Sequence, residues 1–449
     1  MDILSGIGLI VIGILLFELI IFFHEGGHFI TAKKSGVKVN EFALGMGPKL
    51  FSFTKGETTY SFRLFPIGGY CAMEGEDQDS DNPRAFNNAK IWKRMIIIIA
   101  GAVMNIILGF VLMFIIVAQQ PTFASTTVDV FQPNSYTANS GLQEGDQIIK
   151  LNNYDIWNYR DFAFAMGTMK CVEVDGDSLN IYKEDCTNEL TSLYLSITDD
   201  TSLSEDKLIS INEQFQKNCS EINKVTTKED ANKALEQGYK DLNKLVGITE
   251  YTIPKIEIKE TRQRFRTDVT VIRDGEQLEL KDVDFFTTLN PETNKPEIRW
   301  DFFVKPIEKN FSTVITETCS QTVSVARMVW ASLAGLVTGQ FGFNEVSGPV
   351  GITNAITQVA AEGLEKSFLD AVNNIILVMV IITVNLGIFN MLPFPALDGG
   401  RFVLLLIEGI FRKPIPRKIE AAINGAGLAI LFLFMILVTF KDIWQIFGG

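Results

Sequence analysis

The chain has 449 residues, 47% of them hydrophobic, and a formal net charge of −13, so it has room for two or three domains and the composition of a membrane protein. The acidic balance argues against nucleic acid as a partner. Much of that charge is local to residues 171–260, where it marks a solvated surface.

Apolar residues gather in four runs, 6–23, 95–118, 375–391 and 421–440, each close to the roughly 20 residues a helix needs to cross a bilayer core. Four transmembrane helices are predicted. The first run has no basic n-region, and His24 and Glu25 follow it where a signal peptide would place small residues for cleavage, so it reads as a retained helix. Segment 326–343 is less apolar and would be a fifth crossing only if the basic 401–418 loop changed sides; it reads as a membrane-surface or docking helix. Lysine and arginine resist translocation and mark the cytoplasmic ends of spans. Lys33, Lys34 and Lys38 follow the first run, Lys90, Lys93 and Arg94 precede the second, and Arg412, Lys413, Arg417 and Lys418 precede the fourth, whereas residues 119–135 carry no basic side chain. Both termini and the long middle region are therefore expected outside the cell membrane.

The first run ends in FFHEGGHF, which holds both histidines of the chain. On a helix, residues i and i+4 share a face, so His24 and His28 can reach one ion with Glu25 beside it, the H-E-x-x-H zinc arrangement. Ionisable groups inside a span persist for function or in pairs, which favours a ligand role over a satisfied polar one. A catalytic zinc needs a third protein ligand. Asp398, in NMLPFPALDGG, lies just past the cytoplasmic end of the third run, the side the charge pattern gives to His24 and His28. The plainer reading of Asp398 is a turn residue before Gly399 and Gly400. Glu25 suits a general base that takes a proton from water. Glu18, seven residues earlier on the same face, is the rival acid and reads as a buried polar or bundle-facing group.

Cys71, Cys171, Cys186, Cys219 and Cys319 have no zinc-ligand spacing. Cys171, Cys186 and Cys219 fall in the soluble middle, where an unassigned disulfide is allowed on an oxidising side. There, SGLQEGDQIIKLNNYDI (140–156) resembles the strand and turn of a PDZ domain, preceded by a strand around TTVDVF. A helix is expected at 159–169. A hairpin follows in 266–286, turning at Asp274 and Gly275. Residues 171–261 are too long for a PDZ loop and read as an insertion. Leu208, Ile211, Phe215 and Ile222, then Leu235, Leu242 and Leu245, recur at helical spacing, and Thr227 to Asp230 reads as a cap, predicting a helical hairpin.

HEGGHFITAKKSGVKVNEFALGMGPKL, FPIGGYCAMEGE, WKRMIIIIAGAVMN, SGPVGI and NLGIFNMLPFPALDGG together resemble the site-2 protease family of intramembrane metalloproteases, in its bacterial branch with an extracytoplasmic PDZ module. The resemblance implies His24, His28 and Asp398 as Zn2+ ligands and Glu25 as base. It implies substrate-binding roles for Asn385 and Asn390, and for Gly45, Met46 and Gly47 in a loop whose flanks alternate like short strands. Edge pairing with an unwound substrate helix would supply the extended peptide that proteolysis needs. Its implied substrates are single-pass transmembrane proteins, such as anti-sigma factors or remnant signal peptides. Gly26 stands where the family commonly has a larger apolar residue, and Ala102 where it usually has proline, although Asn105 matches.

The expected fold is a polytopic α-helical membrane protein with four transmembrane helices, a membrane-associated β-hairpin region and an extracytoplasmic PDZ-like α+β domain carrying a helical insertion. Its expected division is 1–118 for the first two helices, 122–305 for the PDZ-like domain, 306–370 for a docking segment and 371–449 for the last two helices. Two other classes compete. One is a noncatalytic PDZ-type adaptor with a structural metal, but such sites close all four positions with protein ligands, and only three are found. The other is a zinc transporter, which would distribute ionisable groups along several spans, whereas the second and fourth carry only Asn105 and Asn424 as strongly polar members.

Overall fold

A computed structural model describes residues 3–76, 78, 80–132, 135–169, 171–175, 178–198, 204–256, 261–289, 296–343 and 346–447. The chain forms two compact units, one from residues 1–121 and 309–449 and the other from 122–308.

In the first unit, α1 (Ile3–Ser35) leads into two long strands, β1 (Val39–Lys55) and β2 (Thr58–Met73), and then α2 (Ile91–Gln119). Helix α1 does not stop at FFHEGGHF, where the apolar run ends. Its hydrogen bonding continues to Ser35, where Gly36 and Val37 N–H bond back to Lys33 and Ala32 carbonyls and Lys33 and Lys34 lie at the negative end of the helix dipole. The motif is thus helix interior, which holds its spacing rigid. Helices α1 and α2 touch backbone to backbone: a Cβ on Gly27 would fall on the Ala100 carbonyl. Small residues at the contact let membrane helices approach this closely.

Strands β1 and β2 turn at Gly56 and pair antiparallel over Lys49–Lys55 and Thr58–Arg63. The first part of β1 also pairs with the end of β2, through Leu44↔Gly69, Phe42↔Cys71 and Val39↔Met73. This pairing brings Gly69 onto α1.

After the second unit come α8 (Phe311–Thr338), α9 (Pro349–Lys366), α10 (Phe368–Asn390), α11 (Asp398–Phe411) and α12 (Arg417–Phe447). Among the described residues, four helical segments are long and apolar enough to cross a membrane: Leu15–Ser35, Ile91–Gln119, Phe368–Asn390 and Lys418–Gln445. Helix α8 is not one of them: Thr318, Gln321, Thr322, Ser324 and Arg327 dilute its apolar residues, and the first four are buried. Helix α11 was not expected. The Asp-Gly pair at its start suggested a turn, yet the FVLLLIEGIF that follows has one apolar face, and Leu405 is buried.

The second unit has β3 (Thr122–Phe131), α3 (Tyr136–Asn139), β4 (Gln147–Leu151), β5 (Tyr154–Asp155), α4 (Tyr159–Gly167) and β6 (Cys171–Asp175). It continues with α5 (Leu179–Thr198), α6 (Glu205–Lys224), α7 (Lys228–Val246), β7 (Thr261–Arg273), β8 (Glu276–Phe285), β9 (Thr287–Leu289), β10 (Pro296–Ile298) and β11 (Phe302–Glu308). Its main sheet is antiparallel, in the order β11-β3-β4-β7-β6, with β5 beside β4 and β8 beside β7. Strands β7 and β8 turn at Asp274 and Gly275, both at positive φ as a tight hairpin requires. Alternation buries Val269, Val271 and Val283 against Ile148, Leu151 and Phe162.

The helical hairpin expected in 171–261 is instead three helices. Leu190 from α5 joins Ile211, Phe215 and Ile222 from α6 and Leu235 and Leu242 from α7 in one core. Helix α5 escaped notice because serine, threonine and asparagine interrupt its apolar positions, and they bond back to their own helix, as Thr187 does to Lys183 and Thr191 to Thr187. Cys171–Asp175 belongs to the sheet, paired with β7. All five cysteines are free thiols, and Cys186 and Cys219 lie inside the helical core.

Candidate metal centre

Helix α1 turns His24 and His28 toward α2, and both rings are buried. Their Nε2 atoms are 3.3 Å apart, and Asp398 Oδ2 lies 3.2 Å from the first and 3.3 Å from the second. This oxygen is sealed from solvent without a hydrogen-bond partner. Three atoms that each offer a lone pair repel one another unless a cation sits among them. Tetrahedral zinc, with bonds of about 2.0–2.1 Å to nitrogen and oxygen, has ligand-to-ligand edges of about 3.3–3.4 Å. The triangle has those edges, so the three residues fit a zinc ion.

The other ring nitrogens agree. His28 Nδ1 is 2.8 Å from the Ile97 carbonyl, an acceptor only, so the proton is on Nδ1 and the Nε2 lone pair faces the centre. His24 Nδ1 lies 3.2 Å from the side-chain amide of Asn105, whose Oδ1 is buried and unbonded. Turning that amide over lets Oδ1 accept from His24 Nδ1–H, which satisfies the orphaned oxygen and frees Nε2 for a metal. Both rings need space on α2. A Cβ on Gly101 would overlap His28 Nε2 and His24 Cε1, so only glycine leaves room for the pair.

Asp398 is the first residue of α11 and reaches the histidines because α11 is tied down along its length. Arg401 bonds Glu76 after β2 at 2.5 Å, and Arg94 of α2 pairs with Glu408 at 2.9 Å. The loop before α11 packs so tightly that a Cβ on Gly400 would strike the Phe394 carbonyl.

Glu25 is half-buried on α1 between the two histidines. Gly69 of β2 lies against it: a Cβ there would stand 3.4 Å from Glu25 Cγ and 3.0 Å from Ile21 Cγ2. Asn390, at the end of α10, places Nδ2 3.4 Å from His24 Nε2. Asn385 is half-buried on α10, five residues before Asn390. Gly45 and Gly47 both have positive φ and lie against Phe65, Gly45 under its carbonyl and Gly47 under its ring, while Met46 is exposed. A Cβ at Gly26 would meet open space, so its departure from the family pattern costs no contact. Ala102 is buried in α2, and its carbonyl faces Gly387 of α10. Sequence reasoning missed Gly101 and Gly69 and gave Asn105 no role. The first two were visible only as members of quoted motifs.

The profile of peptidase family M50 matches residues 12–434. A Clostridium acetobutylicum protein, by name a candidate zinc metalloprotease, is 32% identical over 434 residues, 97% of each chain. The Bacillus subtilis regulator of sigma-W protease RasP is 28% identical, covering 97% of this chain and 98% of its own. The Bacillus licheniformis zinc metalloprotease RasP is 26% identical over the same shares. With a histidine pair and an aspartate arranged for zinc on helices suited to a bilayer, the chain belongs to peptidase family M50 and is a multi-spanning membrane zinc metalloprotease.

Proposed function

We propose that this protein cuts peptide bonds inside the transmembrane segments of single-pass proteins, with His24, His28 and Asp398 holding zinc and Glu25 acting as general base. The observation that carries this reading is the near-equilateral triangle of His24 Nε2, His28 Nε2 and Asp398 Oδ2. Bound zinc would supply a Lewis acid for the scissile carbonyl and acidify water. Glu25 takes the proton from that water and delivers it to the leaving amine. Asn390 offers both a donor and an acceptor for the substrate backbone beside His24, and Asn385 meets the same peptide farther up α10. The strands around Gly45, Met46 and Gly47 offer backbone to an unwound segment. Leu50, Phe51, Phe53, Phe62, Leu64 and Phe65 of the same hairpin are exposed, which supports contact with lipid.

The basic residues beside the spans support both termini and unit 122–308 outside the cell, with the metal centre near the cytoplasmic side. Unit 122–308 is read as a PDZ-like domain with a helical insertion that restricts access by bulky ectodomains. The relative named as regulator of sigma-W supports membrane-bound anti-sigma factors as substrates, with remnant signal peptides as a second group. The test is reconstituted cleavage of such single-pass proteins. Glu25→Gln should retain zinc and lose about 100-fold or more in rate, the scale of general base catalysis. Cleavage unaffected by that change or by a zinc chelator would sink the mechanism.

A further inference from the structure

Glu18 is the carboxylate of α1 that the proposed chemistry does not use. It lies within the first candidate span, and both its oxygens are sealed from solvent without a hydrogen-bond partner among the described residues. An acidic group at such depth, left unbonded, is costly and marks a functional contact. Its place on the helix says where that contact would come from. Glu18, Ile21 and Glu25 follow one another at i, i+3 and i+7, a single stripe. Ile21 and Glu25 lie under Gly69 of the hairpin, and Glu18 is the next side chain along the stripe. The stripe also borders the open side of α1, where Leu15, Leu19 and Phe22 are exposed. Glu18 is half-buried at the edge of this open face, so a helix laid there would meet its carboxylate, turned outward from its sealed position, about 10 Å from Glu25 at 1.5 Å of rise per residue.

We infer that Glu18 is a specificity residue that selects transmembrane substrates carrying a basic side chain on the outward side of the cleaved bond. A lysine or arginine in a span is itself unstable in hydrocarbon and seeks a counter-charge, so enzyme and substrate each relieve the other's unpaired ion. The separation corresponds to about three residues if that stretch of substrate is extended and about seven if it stays helical. This inference rests on the proteolytic reading above and deepens it.

The full-length enzyme in liposomes would be given single-pass reporters with a leucine-rich span bearing one lysine, placed three to ten residues outward of the cut, or methionine at the same position. The readout is the ratio of kcat/KM for the two reporters, so an overall loss of activity cancels. Wild type should favour the best lysine position by about tenfold, equivalent to about 1.4 kcal/mol. Glu18→Asp should retain the preference, Glu18→Gln should bring the ratio to about one, and Glu18→Lys should favour a glutamate reporter over the lysine one. Equal cleavage of both reporters by wild type, or an unchanged preference in Glu18→Gln, would overturn the assignment while leaving the protease intact. If wild type cuts neither reporter nor any other single-pass protein, the proteolytic reading falls with it.

Discussion

Asn105 and Gly101 show how much of the metal centre depends on residues that never touch metal. Gly101 supplies only absence, the space that two imidazoles fill. Gly101→Ala should therefore lose zinc as well as activity, measured as metal content of purified protein, whereas alanine at Gly26, which faces open space, should retain both. With its amide turned so that Oδ1 faces His24 Nδ1, Asn105 would set the position of that ring's proton. Asn105→Asp preserves that acceptor and should hold zinc, while Asn105→Leu should weaken zinc binding about 10–100-fold, the usual cost of losing such a partner. If the leucine variant binds zinc as tightly as the aspartate one in a competition titration, the assigned proton position is wrong. His24 and His28 were legible in sequence because helical spacing alone puts them on one face. Gly101 and Asn105 were not, because their importance depends on which face of α2 meets α1.

Among the elements, α11 is the one on which the site depends most. It delivers Asp398 from about 370 residues away in sequence, and its position relative to α2 is fixed by the half-sealed Arg94–Glu408 pair. Removing one partner of a buried pair leaves an uncompensated charge and costs about 3–5 kcal/mol. Glu408→Ala should lower the Tm and speed zinc loss to a chelator, although Glu408 does not touch the metal ligands. The three-helix insertion makes a different prediction. Burial pushes the Cys186 and Cys219 thiols up to about 12, so almost no thiolate exists near pH 8. Native protein should alkylate at exposed Cys171 and Cys319, with Cys186 and Cys219 reacting only on unfolding. Mass spectrometry of labelled peptides reads this directly. The insertion was legible as helical from α6 and α7, whose apolar spacing is regular, but α5 hides its apolar face among threonines and asparagines.

For the whole molecule, the division into units has its own consequence. Residues 122–308 form one uninterrupted segment with two cores, the sheet core around Val269 and the helical core around Phe215. Expressed alone, that segment should be soluble and folded, with cooperative unfolding and no bound zinc, because all three proposed ligands lie in the other unit. Circular dichroism and metal analysis would check it. The sequence by itself determined the four apolar helices, the spacing of the histidine pair and the composition of the acidic middle, because these depend on local periodicity and on length against bilayer thickness. Only the tertiary structure decided that Asp398 Oδ2 lies within 3.3 Å of both histidine Nε2 atoms, that Gly69 lies against Glu25, and that the Asn105 amide meets His24 Nδ1. Those facts depend on which helix faces packed together, and a packing contact between distant segments leaves no periodic trace in either one.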